Sequence, residues 1–239
     1  MSLNDYKGPF RSEIFIADAT MVCWNLATLP GSNLVNLNTI LDELVAHGVE
    51  SIFHVPGIMR KGRLKIETIE DDPREFPAYV KYSPTLKLCV QKKIWSRFQE
   101  GYSKERIIIA HEIGHVMLHS DDPKQFSRDK SLQINFAENE YSVEWQANTF
   151  ADHLLIPTHI AERIKDISRV AFACNVPEDF AYERLTAIWR AKKMLGAMPY
   201  GKLCPDCGNF SRTDEAGEER CNTFGCFSQK MIKRGYCGN

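Results

Sequence analysis

Ile107–Leu118 reads IIIAHEIGHVML, a His-Glu-x-x-His motif set in a run of strong helix formers. On a helix, residues four apart lie one above the other, so His111 and His115 project from one face. Two imidazoles so placed can share one tetrahedral metal ion, and Glu112 beside them is placed to act on a metal-bound water. The flanking residues are apolar on both sides, Ile107–Ala110 before and Ile113, Val116, Met117 and Leu118 after. That setting is a buried helix rather than a polar surface one, and the pattern implies metal-assisted hydrolysis, foremost of a peptide bond.

Working outward, Ser103 reads as the N-cap of this helix, which then runs from Lys104 to about His119 and stops at Ser120-Asp121-Asp122-Pro123. Upstream, Leu34–His47 carries apolar residues at helical spacing and ends before Gly48, a favourable C′ residue. Short strands are expected at Glu13–Ile16, Ser51–Val55, Arg63–Ile69 and Thr85–Val90, the last two from alternation of polar and apolar residues. The economical picture is a three-stranded antiparallel sheet beside the first helix, with parallel pairing left open by the sequence, and with Thr85–Val90 presenting an edge to an extended substrate. Downstream, Lys124–Glu138 reads as a polar loop, and Asn139–Leu155, Thr158–Asp166 and Glu178–Leu195 as helices. Val170–Leu185 reads as a packed helical pair, because a DNA-reading helix-turn-helix would need a basic recognition helix.

Two histidines leave a third protein position open. Glu138, Glu140, Glu144 and Asp152 are the carboxylates on the following helix. Glu144 is the best placed: it opens EWQANTFA, with Asn148 one turn on along the same face, able to hold a ligand from behind. Small Ala147 and Ala151 would let the two helices approach closely. His119 continues the i, i+4 series, but three histidines spanning two turns do not converge on one ion, so it reads as a packed histidine. His47, His54, His153 and His159 have no partner pattern. Tyr82, Tyr102 and Tyr141 are candidate oxyanion donors.

AHEIGHVMLH at Ala110–His119 followed by EWQANTFADHLLIP at Glu144–Pro157 resembles the ImmA/IrrE family of zinc metallopeptidases. The similarity extends over about residues 40–195, including the strand Thr85–Val90 and VPEDFAYERL at Val176–Leu185. It implies an α+β, gluzincin-like fold in which His111, His115 and Glu144 hold a catalytic Zn(2+), with Glu112 as base. It also implies a protein substrate of the repressor or antitoxin type. The chain departs from the family in its long N-terminal segment and its cysteine-rich end.

Of eight cysteines, Cys23, Cys89 and Cys174 sit singly among apolar neighbours and read as buried thiols. The other five fall between Cys204 and Cys237. Cys204-Pro-Asp-Cys207-Gly and Cys221-Asn-Thr-Phe-Gly-Cys226 have the spacing of a four-thiolate structural zinc site, with Cys237 able to replace Cys226. The expected organisation is a metallopeptidase domain over 1–198, core about 34–195, and a zinc ribbon over 199–239, with two Zn(2+) per chain.

The remaining bulk properties exclude more than they assign. At 239 residues and 44% hydrophobic, the chain can bury a proper core. A net charge of −1 gives no general attraction to nucleic acid, so a protein partner is favoured over DNA. No run approaches the roughly 20 apolar residues of a membrane span, and the N-terminus lacks a secretory pattern, so the cytoplasm is the expected compartment. The expectation is a zinc-dependent endopeptidase acting on one or a few protein substrates; the alternative is a non-catalytic regulator that uses the same fold to bind a protein or DNA.

Overall fold

Ser12 turns the chain into its first helix, its hydroxyl accepting the Phe15 N–H at 3.2 Å, and α1 runs Glu13–Ala27. The expected strand at Glu13–Ile16 is therefore a helical turn. Four residues are too few to distinguish the two periods, and the longer spacing of the buried Ile16, Ala19, Cys23 and Ala27 is helical. The structure is a computed structural model that describes residues 7–52, 62–120 and 139–197, and short strands at 202–203, 211–213, 219–221 and 232–233.

Helix α2, Leu37–Ala46, is capped by the Asn36 side chain and buries Leu37, Ile40, Leu41 and Leu44. It ends at Gly48 with φ +87°, where an added Cβ would lie 2.7 Å from the Gly62 carbonyl oxygen. Only glycine meets both demands. A 3-10 turn, Val49–Ser51, occupies the start of the expected strand Ser51–Val55. Residues 53–55 lie outside the described residues.

The sheet contains β1 (Lys65–Ile69), β2 (Ala78–Lys81) and β3 (Lys87–Gln91) in the order β1-β3-β2. It is mixed rather than antiparallel. Ile66 lies opposite Leu88 in a parallel pair, whereas Val80 lies opposite Leu88 in an antiparallel one. The cause is the unpredicted β2. The Gln91 amide donates to Asp72 O at 2.8 Å and Phe76 O at 3.1 Å, folding the intervening loop so that the chain returns beside β3. The strand expected to present an edge is thus the central one. Leu88, Cys89 and Val90 are all buried, as they must be in a strand covered on both faces.

Helix α3, Lys92–Gln99, follows β3 directly and leads into the motif helix α4, Ser103–His119. Tyr102, not Ser103, is its N-cap residue. Two buried charges anchor its first turn: Glu105 forms an ion pair with Arg97, its carboxylate 2.8 Å from Nε, and Arg106 donates to Val35 O at 3.1 Å. Helix α4 packs against α2, α3, β2 and, most extensively, α5, Val143–Leu155. A 3-10 turn at Asn139–Tyr141 precedes α5, and the Ser142 hydroxyl caps it through the Trp145 N–H at 2.9 Å. Helix α1 packs on α2 and α5.

Helices α6 (Thr158–Ile164), α7 (Ile167–Cys174) and α8 (Glu178–Ala197) complete the helical part. Val170, Cys174, Ala181 and Leu185 are buried. The described residues thus form an α+β fold of eight helices and a small three-stranded sheet, with two further two-stranded ladders near the C-terminus. The chain divides into two compact units, Met1–Leu185 and Thr186–Asn239. The second holds the antiparallel pairs β4 (Lys202–Leu203) with β7 (Ile232–Lys233) and β5 (Ser211–Thr213) with β6 (Glu219–Cys221). No helix among the described residues is long and apolar enough to cross a membrane.

Candidate metal centre

Helix α4 is buried almost all round: Ile109, Ala110, Ile113, Val116, Met117 and Leu118 are each at most 1% exposed. The face left for polar chemistry is the one turned to α5. Gly114 makes this possible. An added Cβ there would sit 3.1 Å from Ala147 O and 3.1 Å from Phe150 Cβ, so the two helices meet backbone to backbone along Gly114 and Ala147. This close approach brings Glu144, about one turn before Ala147 on α5, up to the two histidines. Asn148 follows one turn after Glu144 and faces the same site.

The donor atoms converge. His111 Nε2 and His115 Nε2 lie 3.0 Å apart, and the Glu144 carboxylate oxygens lie 3.4 Å from the first and 3.5 Å from the second. One ligand atom from each of the three falls within 4.8 Å of the others. A tetrahedral ion bound at roughly 2.0–2.1 Å needs ligand atoms about 3.4 Å apart. The nitrogen pair lies a little inside that figure, and the two carboxylate distances are to different oxygens, Oε2 toward His111 and Oε1 toward His115, so the residues present suit one ion held by two imidazoles and a carboxylate turned to both. Asn148 Oδ1 lies 2.9 Å from His111 Nδ1, which makes Nδ1 the protonated nitrogen and leaves the Nε2 lone pair directed into the site.

The electrostatics of the two histidines differ. Burial pulls the His111 imidazole down, but the Glu144 hydrogen bond, the Glu112 and Glu144 charges and Asn148 together leave it raised. Burial holds His115 well below the usual histidine range, reinforced by His111 and His119. A neutral imidazole is the form that ligates metal. Burial pushes Glu112 up to about 7, with His111 opposing and Glu144 reinforcing. Its Oε2 is buried and has no hydrogen-bond partner among the described residues. An orphaned carboxylate oxygen next to a ligand cluster is costly unless it serves a proton.

The other expected residues separate clearly. His119 is fully buried, its ring 5.8 Å from that of His115, and it is not part of the cluster. Asp152 lies two turns beyond Glu144, where burial raises its pKa to about 6 against the charge of Arg184. Glu140 uses its backbone oxygen to hold Arg11 and Gln146, and Glu138 lies outside the described residues. His153 pairs with Glu13 at 3.0 Å, and His159 meets the edge of Trp24. Of the three tyrosines, Tyr82 reaches the motif helix, its hydroxyl 3.4 Å from His115 O. Tyr102 lies under Arg97 and Tyr141 packs on Phe10. Cys23, Cys89 and Cys174 are buried free thiols. Cys204, Cys207, Cys226 and Cys237, like the side chain of Cys221, lie outside the described residues, as does the expected loop at 124–138.

Sequence reasoning misses Gly114. The signal is present, since a glycine inside a helix costs about 1 kcal/mol relative to alanine and calls for a packing reason.

Residues 103–186 match the model of the peptidase M78 family, described as the IrrE N-terminal-like domain. The chain is 30% identical over 84 residues to the uncharacterized immunity region protein 2 of Bacillus phage phi105, covering 34% of this chain and 50% of that protein. It is 26% identical over 135 residues to the uncharacterized protein YqaB of Bacillus subtilis strain 168, covering 53% of this chain and 70% of that one. The chain thus spans about half the length of the phage relative. No solved structure matches it. The matched segment contains all of α4 to α7, so the part of the chain that carries the candidate triad is the part that is similar to a metallopeptidase family.

Proposed function

We propose that this chain is a zinc-dependent endopeptidase that cleaves one or a few intracellular proteins, of the transcriptional repressor or toxin–antitoxin regulator kind. The observation that carries the reading is the convergence of His111, His115 and Glu144 beside a Glu112 oxygen that has no partner among the described residues. The likeness of residues 103–186 to a peptidase family supports the reaction class, and the phage immunity-region relative supports a regulatory substrate.

His111, His115 and Glu144 would hold the ion, with Asn148 fixing the His111 ring. A bound zinc supplies Lewis acidity that polarises the scissile carbonyl and makes water a nucleophile near neutral pH. Glu112 takes the proton released at its carboxylate and returns it to the leaving amine. Burial, which leaves this carboxyl near neutrality, suits a group that must both accept and donate. The substrate strand would lie along β2, which packs on α4 and whose outer edge has no strand partner among the described residues. The central β3 is closed to that role.

The same proposal includes a zinc ribbon over 199–239, with Cys204, Cys207, Cys221 and Cys226 as thiolate ligands and protein docking as its use. The domain boundary is placed near 198. Cleavage is tested by incubating wild-type protein and Glu112→Gln with candidate repressors from the same genomic neighbourhood and mapping new termini by mass spectrometry. New termini made by the wild type alone support the reading. Zinc-loaded protein that binds such a partner without cutting it would favour a non-catalytic regulator.

A further inference from the structure

Helices α4 and α5 must hold their relative position to within a fraction of an ångström for three ligands to converge. The contacts that bridge the end of α4 and the start of α5 come from far away in sequence. An extended strap, residues 7–12, runs beside the entry to α5. Lys7 forms an antiparallel bridge with Ser142, the α5 cap, and the Gly8 N–H donates to Tyr141 O at 2.8 Å. The Gln146 side chain, fully buried in the first turns of α5, donates to Pro9 O at 2.8 Å and Glu140 O at 2.6 Å.

Arg11 contacts both ends at once. Its backbone N–H donates to Glu140 O at 3.1 Å, and its guanidinium donates to Leu118 O at 2.6 Å. Leu118 O is one of the last four carbonyls of α4, which have no partner within the helix and carry the negative end of its dipole. The guanidinium therefore satisfies one carbonyl at the end of the helix that holds His111 and His115. The backbone of the same residue is tied four positions before Glu144.

We propose that Arg11 is a positioning residue for the metal centre, fixing the α5 ligand against the α4 ligands without touching the ion. The inference rests on the metal-centre reading above. It extends the functional unit to a segment outside the region, residues 103–186, that resembles the peptidase family.

The test uses the full chain. Arg11→Met keeps the aliphatic stem and removes the donors; Arg11→Lys restores one donor to Leu118 O. Zinc affinity is measured by chelator competition, with Glu144→Gln marking how much binding belongs to this site. The visible spectrum of the cobalt-substituted proteins reports its coordination. Removing groups that orient metal ligands typically weakens binding by about 10–100-fold. Arg11→Met is expected to weaken the Glu144-dependent site by that factor and shift its cobalt spectrum toward that of Glu144→Gln, with Arg11→Lys recovering most of the loss and helical circular dichroism unchanged. Wild-type affinity and an unaltered spectrum in Arg11→Met would overturn the proposal, as would loss of metal only in step with loss of helix. If Glu144→Gln binds zinc as the wild type does, the metal-centre reading itself fails, a result distinct from failure of the Arg11 proposal.

Discussion

Glu112 and His111 are neighbours in sequence but meet different surroundings, and the difference separates their roles. His111 has its outer nitrogen satisfied by Asn148 and its inner one turned to Glu144, as a ligand needs. Glu112 has one oxygen buried and unpartnered among the described residues. Glu112→Gln is therefore expected to keep zinc affinity within a few fold while abolishing hydrolysis; substrate turnover by this variant at the wild-type rate would remove the proposed base. Asn148→Ala should instead act on the metal, weakening it by about 10–100-fold as His111 loses its orienting partner. Chelator competition reads that effect directly. Both histidines and Glu112 were legible from four-residue spacing alone, because helical geometry fixes which side chains share a face. Glu144 was legible only as the best of four carboxylates, since nothing in the spacing of α5 says how deep α4 sits against it.

At the scale of elements, the seam between α4 and α5 sets the site. Alanine at position 114 would gain about 1 kcal/mol of helix propensity. Its Cβ, however, would press on the Ala147 backbone and on Phe150, which is fully buried. Backbone cannot give without moving α5, so Gly114→Ala is expected to lower stability by about 1–3 kcal/mol and to weaken zinc binding with it. Thermal melts of the metal-free and zinc-loaded variant measure the two losses separately. Farther along α5, Asp152 carries a pH-dependent cost. Its folded pKa of about 6 lies above the ordinary 3.8, so the folded state holds its proton longer than the unfolded chain does. Stability from this group is present below about pH 4 and falls as pH rises toward 6. Asp152→Asn should remove that fall, gaining up to about 3 kcal/mol at pH 7 and little at pH 4, as denaturant melts at the two values would report. The elements themselves were unevenly legible. Helix α2 was readable from its apolar spacing and its terminal glycine. Helix α1 was not, because its start, Glu13–Ile16, is rich in strand-favouring Ile and Phe and its helical cap, Ser12, is a single polar residue. Strand β2 was hidden by its length and by Pro77, although Pro77 O accepts the Gln91 N–H and helps set its pairing.

Across the whole molecule, the proposed chemistry divides between two metals with different dependence on fold. The first unit has an apolar core independent of any ion, so chelation should leave its helices in place. About 40 residues hold too little core to fold without support, so the cysteine-rich end should lose its order when zinc is removed. Metal analysis of the full chain is expected to give two zinc ions, falling to one in a Cys204→Ala/Cys207→Ala double variant; one ion in the wild type would defeat one of the two assignments. The cysteine spacing made that expectation possible from sequence. The strap at residues 7–12 was not legible, because its function lies in backbone hydrogen bonds and in a long-range contact from Arg11 to Leu118, which leave no periodic or motif-like trace.

In the proposed site, His111, His115 and Glu144 hold one zinc ion beside Glu112. Anomalous diffraction across the zinc absorption edge, on crystals of the zinc-loaded protein, tests it most directly. A peak is expected between the two Nε2 atoms and the Glu144 carboxylate, retained in Glu112→Gln and lost in Glu144→Ala. Zinc-loaded crystals with no peak at that position, or with an undiminished peak in Glu144→Ala, would contradict it.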